Sequence, residues 1–582
     1  MPKIIHRRAV QYDAHYLPEL HPVLRRILAA RSIQSLDELT AKLDDLLPLS
    51  DFKNLDTAVE LLTTALMEQQ RIMIVADYDA DGATSCVVAY RALQAFGALH
   101  LSYVVPNREK QGYGLTPAIV AQIRPWQPDL LITVDNGIAS FSGVIAAKKA
   151  GIKVLITDHH LPAAQLPQAD AIINPNVADN LFPSKHLAGV GVIFYLMLAL
   201  RRHLRTINWF QDQAIREPNL AELLDIVALG TVADMVTLDH NNRILVEQGL
   251  RRIRANQCCA GIRALIKVSH RSQEEMMTRD LGFSLAPKLN AAGRMDDMSH
   301  GIQCLLCDEE NNALEYATRL DQFNQERQFI EAEMLQQALA QLNALSLNAE
   351  SCTQLGVCLL DTDWHPGVIG LLASRIKERL HRPVIVFTQA EQEGFLKGSG
   401  RSIQRVHIRD ILVSIEANYP ELICYFGGHA MAAGLTIPEA AFPQFQQVFD
   451  QKVRELINFH QLDNMIYSDG ELSDDDFTLE LAEALRAIPW GQGFEEPIFD
   501  GAFELIHYQV LKEKHLKLQL RPLNGQKTLT ALAFNNRIDT VWPSGTKQLY
   551  LAYRLAVNSF RNKTELQLMI ESISVLPNRV ES

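Results

Sequence analysis

The sequence has no long hydrophobic run. Its longest apolar stretch, Ala188 to Leu200, falls short of the ~20 residues that cross a bilayer and is interrupted by Gly189 and Gly191, so it reads as a core helix. The start, Met1 to Arg8, carries charge but no apolar region behind it, which argues against a secretory leader. Cysteine is sparse and scattered, eight in 582 residues, with no framework of pairs. That usage fits a reducing compartment. Only Cys304-x-x-Cys307 has a zinc-like spacing. It lacks a second pair and holds Leu305 and Leu306 between its cysteines, so helix packing is the simpler reading. These absences lead to the expectation of a soluble, cytoplasmic protein with no membrane contact. An excess of positive charge is missing too. A net charge of −13 argues, by itself, against a nucleic-acid partner.

The balance is uneven, however. Residues 243–294 hold ten Lys/Arg against four Asp/Glu, and residues 501–582 hold eleven against six. Residues 465–500 hold one against ten. The whole-chain figure therefore hides two basic segments and one acidic one. Apolar content of 47% is ample for large cores, and the length is enough for about four domains at ~150 residues each.

The most informative stretch is Val75-Ala76-Asp77-Tyr78-Asp79-Ala80-Asp81-Gly82. The apolar run Ile72 to Val75 reads as a buried strand, and Ala83 to Leu93 reads as a helix start. Three carboxylates at spacing two then stand at the carboxyl end of a strand, where open α/β sheets keep their active sites. Like charges so close stay ionised together only if cations neutralise them. Oxygen ligands at this density suit Mg²⁺ or Mn²⁺. An acidic surface turn would explain one such motif as well. Three further element ends repeat it. Leu130 to Val134 ends in Asp135-Asn136-Gly137, Val154 to Thr157 in Asp158-His159-His160, and the helical run Leu220 to Leu229 in Gly230-Thr231-Val232-Ala233-Asp234. Four endings with metal-ligand side chains are hard to explain as solvated turns.

In this order the motifs resemble the DHH phosphoesterase superfamily, and within it the branch of single-strand-specific 5′→3′ DNA exonucleases. Further motifs carry the likeness: Pro106-Asn107-Arg108 with Gly112-Tyr113-Gly114-Leu115, Pro287 to Arg294, Gly398-Ser399-Gly400-Arg401-Ser402, and Gly427 to Gly434. They span residues 70–435, and the layout continues to the C-terminus.

The resemblance and the pattern together give an α/β fold: a two-lobed DHH phosphoesterase core, with a parallel, helix-flanked sheet and a second α/β DHHA1-like lobe joined by a long helix, followed by an OB-like β-barrel. The expected layout is a helical lead-in over 1–50, a DHH catalytic lobe over 51–305 and a connecting helix over 306–350. A DHHA1-like substrate-binding lobe follows over 351–462, then an OB-like single-strand-binding domain over 463–582. Apolar runs at 72–75, 101–105, 130–134, 154–157 and 171–173 alternate with helical patterns, as a parallel sheet requires. The gap-free helical stretch from Asn311 to Leu345 is read as the connector, which would leave a groove between lobes. Five short strands after residue 500 suit a barrel, and a β-sandwich would give the same pattern.

The family pattern implies two metals bridged by Asp135, with Asp77 and Asp79 on one and Asp81, His159 and Asp234 on the other. Asp158 would orient His159, and His160 would contact the scissile phosphate or protonate the leaving oxygen. In the second lobe, Ser399, Gly400, Arg401 and Ser402 read as a glycine-rich loop whose amides, hydroxyls and guanidinium approach a phosphate, with His429 nearby. Arg108 and Arg294 are further clamps, and Tyr113 is positioned to stack a base. The cofactors implied are two divalent cations, Mn²⁺ or Mg²⁺. The partners implied are single-stranded DNA, single-strand-binding protein and a RecQ-type helicase, in recombinational and mismatch repair, with the protein a monomer. Two other readings compete. A phosphodiesterase on oligoribonucleotides or cyclic dinucleotides has no need of a basic C-terminal barrel. A non-catalytic DNA-binding scaffold predicts missing ligands, and none is missing here.

Overall fold

The computed structural model describes residues 4–13, 15–107, 112–344, 354–457, 465–512, 515–534, 547–560 and 563–576. The chain opens with a strand, β1 (Ile4–Arg7), whose partner lies at Met465–Ser468. Residues then fall into two compact units. One comprises 10–324 with 479–497, and the other comprises 1–9, 325–478 and 498–582.

The first unit is built on five parallel strands: β2 (Ile72–Ala76), β3 (Leu101–Val104), β4 (Leu130–Val134), β5 (Lys153–Thr157) and β6 (Ala171–Ile173), in the order β3-β2-β4-β5-β6. β2 and β4 are buried along their whole length. A strand covered by helices on both faces needs a continuous apolar run rather than an alternation, which is what these sequences supply. On one face, Met73, Val75, Leu131 and Val154 pack with Ile119, Val120, Ile123 and Val144. Helices α1 (Leu55–Met67), α2 (Ala80–Ala95) and α3 (Gly189–Thr206) pack on the sheet and on one another. α3 is the apolar stretch of the sequence, and it is a buried core helix. Among the described residues no helix is long and apolar enough to cross a membrane. From β2 the chain passes to β3 on one side and then to β4 on the other. The topology thus reverses beside the carboxyl end of β2, where such sheets open a crevice. Helices α4 (Leu224–Ala233) and α5 (Ala286–Met295) follow, and then the long helix α6 (Glu310–Ala344).

The second unit holds a mixed sheet of β7 (Val357–Leu360), β8 (Val384–Gln389), β9 (Phe395–Arg401), β10 (Tyr425–Gly428) and β11 (Ala432–Pro438), ordered β10-β11-β9-β8-β7. Helix α7 (Ile369–Leu380) connects the parallel pair β7 and β8. The sequence Gly398 to Arg401, expected as a loop, is the end of β9. It is hydrogen-bonded on both sides, to β8 and to β11. Glycine and serine content suggested a turn, but the pairing potential of the neighbouring strands overrides it.

A closed five-stranded barrel completes this unit: β13 (Phe499–Leu511), β14 (His515–Pro522), β15 (Leu529–Ala533), β16 (Gln548–Phe560) and β17 (Lys563–Val575), ordered β13-β14-β15-β17-β16. β12 (Met465–Ser468) precedes it and pairs in parallel with β1. The N-terminal stretch, expected as a helical lead-in over 1–50, therefore begins as a strand. Arg7 holds it there, donating to both oxygens of the Asp500 carboxylate, with Nε and Nη2 at 2.9 and 2.7 Å from Oδ2. The hydroxyls of Ser468 and Tyr550 also donate to Asp500. The region read as one barrel domain is divided as well, since Leu479–Pro497 belongs to the first unit. There Trp490 and Phe494 bury their rings against Arg31 and Arg243.

Candidate active site

The connections after β2, β4 and β5, and the end of α4, all deliver polar side chains to the topological reversal. After β2 the chain turns through Asp77-Tyr78-Asp79 and enters α2 at Ala80, earlier than the apolar pattern suggests. Asp79 is the reason. Its Oδ1 accepts the amides of Asp81 and Gly82 at 3.0 Å each, and so caps the helix. Asp81 consequently stands inside the first turn, buried. Its two oxygens accept the amides of Gly189 (2.6 Å) and Val190 (2.9 Å) at the start of α3.

After β4, Asp135 adopts φ +61. A non-glycine residue in the left-handed region is uncommon, and such strain collects at functional positions. Asn136 fixes this turn, donating from Nδ2 to the carbonyls of Val75 (3.0 Å) and Val134 (2.9 Å) and so tying the ends of β2 and β4 together. After β5, Asp158 accepts the amides of His159 (2.7 Å), His160 (3.0 Å) and Ile138 (2.9 Å). Its Oδ1 also lies 2.7 Å from His160 Nδ1. The expectation that Asp158 orients His159 is thus corrected. The carboxylate grips the ring of His160, because the two amide bonds at the strand end turn it towards the second histidine.

His159 Nε2 lies 3.1 Å from Asp135 Oδ1, 3.4 Å from Asp234 Oδ2 and 4.0 Å from Asp81 Oδ2. Three groups bring ligand atoms within 4.8 Å of one another: Asp77 with Asp79 and Asp135, Asp81 with His159 and Asp234, and Asp135 with His159 and His160. Burial first, and the neighbouring carboxylates second, push Asp77, Asp135 and Asp234 well above the ordinary aspartate range. The same causes push Asp81 up to about 7. Asp158 differs. Burial raises it, but the bond to His160 and the two imidazoles outweigh that and hold it low. For His160, burial lowers the pKa, and Asp158 overcomes this to push it up to about 9.

This donor set fits divalent cations. Asp135 Oδ1 is buried and receives no hydrogen bond among the described residues. Several buried carboxylates that repel one another are what a hard cation neutralises.

The expected strand-binding residues are distributed differently. Tyr113 is 44% exposed, with its hydroxyl 3.3 Å from the Asp135 carbonyl and 3.5 Å from His160 Nδ1. Its ring stands edge-on to Tyr78 and to His160. Arg294 lies on α5, which is tied to the first motif where Asn290 Oδ1 accepts the Ala80 amide at 2.8 Å. Arg108 lies outside the described residues. In the second unit, Ser399 and Arg401 share the half-exposed face of β9, while Gly400 and Ser402 are buried. The Arg401 guanidinium donates to the Gly400 carbonyl (2.8 Å) and lies 3.3 Å from Ser399 Oγ. Ser402 Oγ donates to the Val406 carbonyl at 2.6 Å. Its place in a phosphate cradle is therefore corrected: the hydroxyl is turned inward and closes a turn. His429 is exposed in the hairpin between β10 and β11, its amide bonded to the Ala432 carbonyl at 2.8 Å.

Family models match three segments: the DHH family N-terminal domain over residues 71–231, the DHHA1 domain over 353–455 and the RecJ OB domain over 468–572. The single-stranded-DNA-specific exonuclease RecJ of Salmonella typhimurium is 49% identical over 98% of this chain and 98% of its own length. The chain belongs to the RecJ family of exonucleases. The RecJ of Escherichia coli is 48% identical over the same shares of both chains. Among solved structures, RecJ of Thermus thermophilus in complex with Mn²⁺ matches with a TM-score of 0.80 and 26% identity, covering 99% of this chain and 80% of that one.

Two residues of this RecJ-family site escaped the sequence reading. Asn174 Nδ2 donates to the His160 carbonyl at 2.9 Å, and Asn176 Nδ2 donates to the His159 carbonyl at 2.6 Å. They clamp the backbone of both histidines. The signal was available: Asn174-Pro175-Asn176 ends the apolar run of β6 just as the other motifs end theirs.

Proposed function

We propose that the chain is a metal-dependent exonuclease that hydrolyses phosphodiester bonds of single-stranded DNA from the 5′ end, in recombinational and mismatch repair. One observation carries this reading. Asp77, Asp81, Asp135 and Asp234 are crowded beside His159 at a sheet's topological reversal, where they are too closely packed to ionise together without cations. The Thermus thermophilus RecJ structures with Mn²⁺ and with Mg²⁺ support the same ions here. Two divalent cations supply a nucleophile activated at neutral pH and neutralise charge on the phosphate.

The chain's residues then divide the work. Asp135, between the two groups, is the shared ligand. Asp77 and Asp79 complete one set, and Asp81, His159 and Asp234 the other. His160, held through Nδ1 by Asp158, contacts the phosphate or protonates the leaving oxygen. Tyr113 and Arg294 hold the strand near this centre, and Arg108 is assigned to the same strand as a further clamp. Ser399 and Arg401, with His429 nearby, receive a phosphate on the half-exposed side of β9. The barrel holds single-stranded DNA, as OB-folds do. Single-strand-binding protein coats the substrate and a RecQ-type helicase exposes it, and the enzyme acts as a monomer.

The test is digestion of 5′- and 3′-labelled substrates with Mn²⁺, Mg²⁺ or EDTA. Labelled mononucleotide should appear at once from the 5′ label on single-stranded DNA, and blunt duplex and RNA should be poor substrates. Release from the 3′ label first, internal cuts, or equal rates on RNA would each overturn the reading.

A further inference from the structure

Asp234 differs from the other acidic residues of the site. It stands at the C-terminal end of α4, where the helix dipole disfavours a carboxylate. Its side chain is 21% exposed, against 0% for Asp81 and 2% for Asp135. Backbone amides donate to the carboxylates of Asp77, Asp79 and Asp81, but among the described residues none donates to that of Asp234, nor to that of the more deeply buried Asp135. Something other than its own hydrogen bonds must set its position.

The residues after it supply the restraint. Met235 takes φ +59. Leu238 donates its amide to the Gln492 carbonyl at 2.8 Å, and the Leu238 carbonyl accepts Arg243 Nη1 at 3.1 Å. The Thr237 carbonyl accepts Asn242 Nδ2 at 2.9 Å. Gln492 belongs to a closed turn in which Gly491 and Phe494 exchange backbone hydrogen bonds of 2.9 and 3.1 Å. Phe494 lies 4.4 Å from the guanidinium carbon of Arg243, and Trp490 stacks on Phe494 at 4.9 Å. The fit is tight. A Cβ on Gly491 would lie 2.4 Å from Leu238 Cδ1, and one on Gly493, at φ +70, would lie 2.6 Å from Thr237 Cγ2.

We infer that the Trp490–Phe494 turn is a positioning device for Asp234. α4 fixes the backbone on one side of the carboxylate and the turn fixes it on the other, through Thr237 and Leu238. Oδ2 is thereby kept 3.4 Å from His159 Nε2. The turn acts through Asp234. The inference rests on the proposed ligand role of Asp234.

The test is Mn²⁺ binding to the full chain without DNA, read from the electron paramagnetic resonance of unbound Mn²⁺, with circular dichroism to confirm folding at the assay temperature. Asp234→Ala should lose one of two ions. Gly491→Ala should weaken that ion on the order of tenfold or more, as loss of an outer partner of a metal ligand does. Leu238→Ala in the same chain makes room for the new methyl and should return affinity to within about threefold of wild type. Phe494→Leu removes the ring over Arg243 without adding bulk, and it should weaken the same ion if Gly491→Ala does not fold. If Asp234→Ala loses an ion while the turn variants bind as wild type, the turn does not position it. Failure of Leu238→Ala to rescue would also overturn the inference, because the effect would not run through that contact. If Asp234→Ala keeps both ions, the ligand reading falls and takes the inference with it.

Discussion

The ends of β2 and of β9 each carry a polar motif, and they use the backbone in opposite ways. At β2 the strand ladder stops at Ala76. The Asp77 amide still bonds the Val134 carbonyl at 3.3 Å, but the residues after it leave the sheet, so the carboxylates that follow are released to cap α2, to meet α3 and to face Asp135. At β9 the ladder runs through the motif. Ser399 is paired with Val386 on one side and Gly434 on the other, and Gly400 with Ile385 and Ala433. Its amides are committed to the sheet, and only side chains on one face remain for a ligand. A polar motif beyond a strand end can therefore work with every atom it has. The same composition inside a strand works only with alternate side chains.

The comparison is broken most severely at Asp135. If the β2 side of the site is a cation centre, Asp135→Ala should lower kcat/KM on single-stranded DNA by at least about a thousandfold in a folded protein. Activity within about tenfold of wild type would refute the two-cation reading. At β9 the loss should fall on one side chain. A charge-assisted Arg–phosphate contact contributes about 1.5–3 kcal/mol. Arg401→Ala should therefore reduce kcat/KM by roughly 10- to 150-fold. The reduction should be larger on 5′-phosphorylated than on 5′-hydroxyl strands. Equal losses on both would make Arg401 a general backbone contact.

The two regions should also separate with pH when metal is removed. Asp81 is raised to about 7, and Asp77, Asp135 and Asp234 are raised further than ordinary carboxylates by burial and mutual repulsion. A carboxylate with a raised folded-state pKa contributes stability below its unfolded pKa and loses it as pH rises through the folded one. The metal-stripped chain should accordingly lose stability between the ordinary aspartate range and about pH 7. Mn²⁺ should raise the melting temperature more at pH 8 than at pH 5, while variants of β9 should leave that pH dependence unchanged. A Mn²⁺ effect that is larger at the acid end would contradict the assignment of these four carboxylates.

How much of this was legible follows from range in sequence. Ile72 to Val75, Leu130 to Val134 and Val154 to Thr157 announce buried parallel strands, and the residues that follow announce the site, because strand and ligand are contiguous. The partner of Asp158 was misassigned between adjacent histidines, since two amide bonds at the strand end, invisible to spacing, decide which ring it faces. Gly398 to Arg401 was misread because local composition says nothing of β8 and β11 on either side. β1 and the Trp490–Phe494 turn were not legible for the same reason on a larger scale. Their partners, Met465–Ser468 and Leu238, stand hundreds of residues away.

The smallest effect is expected at Ser402, next to Arg401 in the same motif. Ser402 is 1% exposed, and its hydroxyl donates to the Val406 carbonyl at 2.6 Å. It points into the core, opposite to Ser399 and Arg401. Ser402→Ala leaves that carbonyl without its donor, which should destabilise the fold by about 1–2 kcal/mol. It removes nothing that a phosphate on the half-exposed face of β9 touches, so kcat/KM should stay within about twofold of wild type on either 5′ end. Ser399→Ala, on the half-exposed face, should do the reverse, lowering kcat/KM with little change in melting temperature. The pair isolates the alternation of a strand from the composition of a motif. If Ser402→Ala impaired catalysis as much as Ser399→Ala, both hydroxyls would serve the ligand, and the stretch would have to leave the ladder when DNA binds.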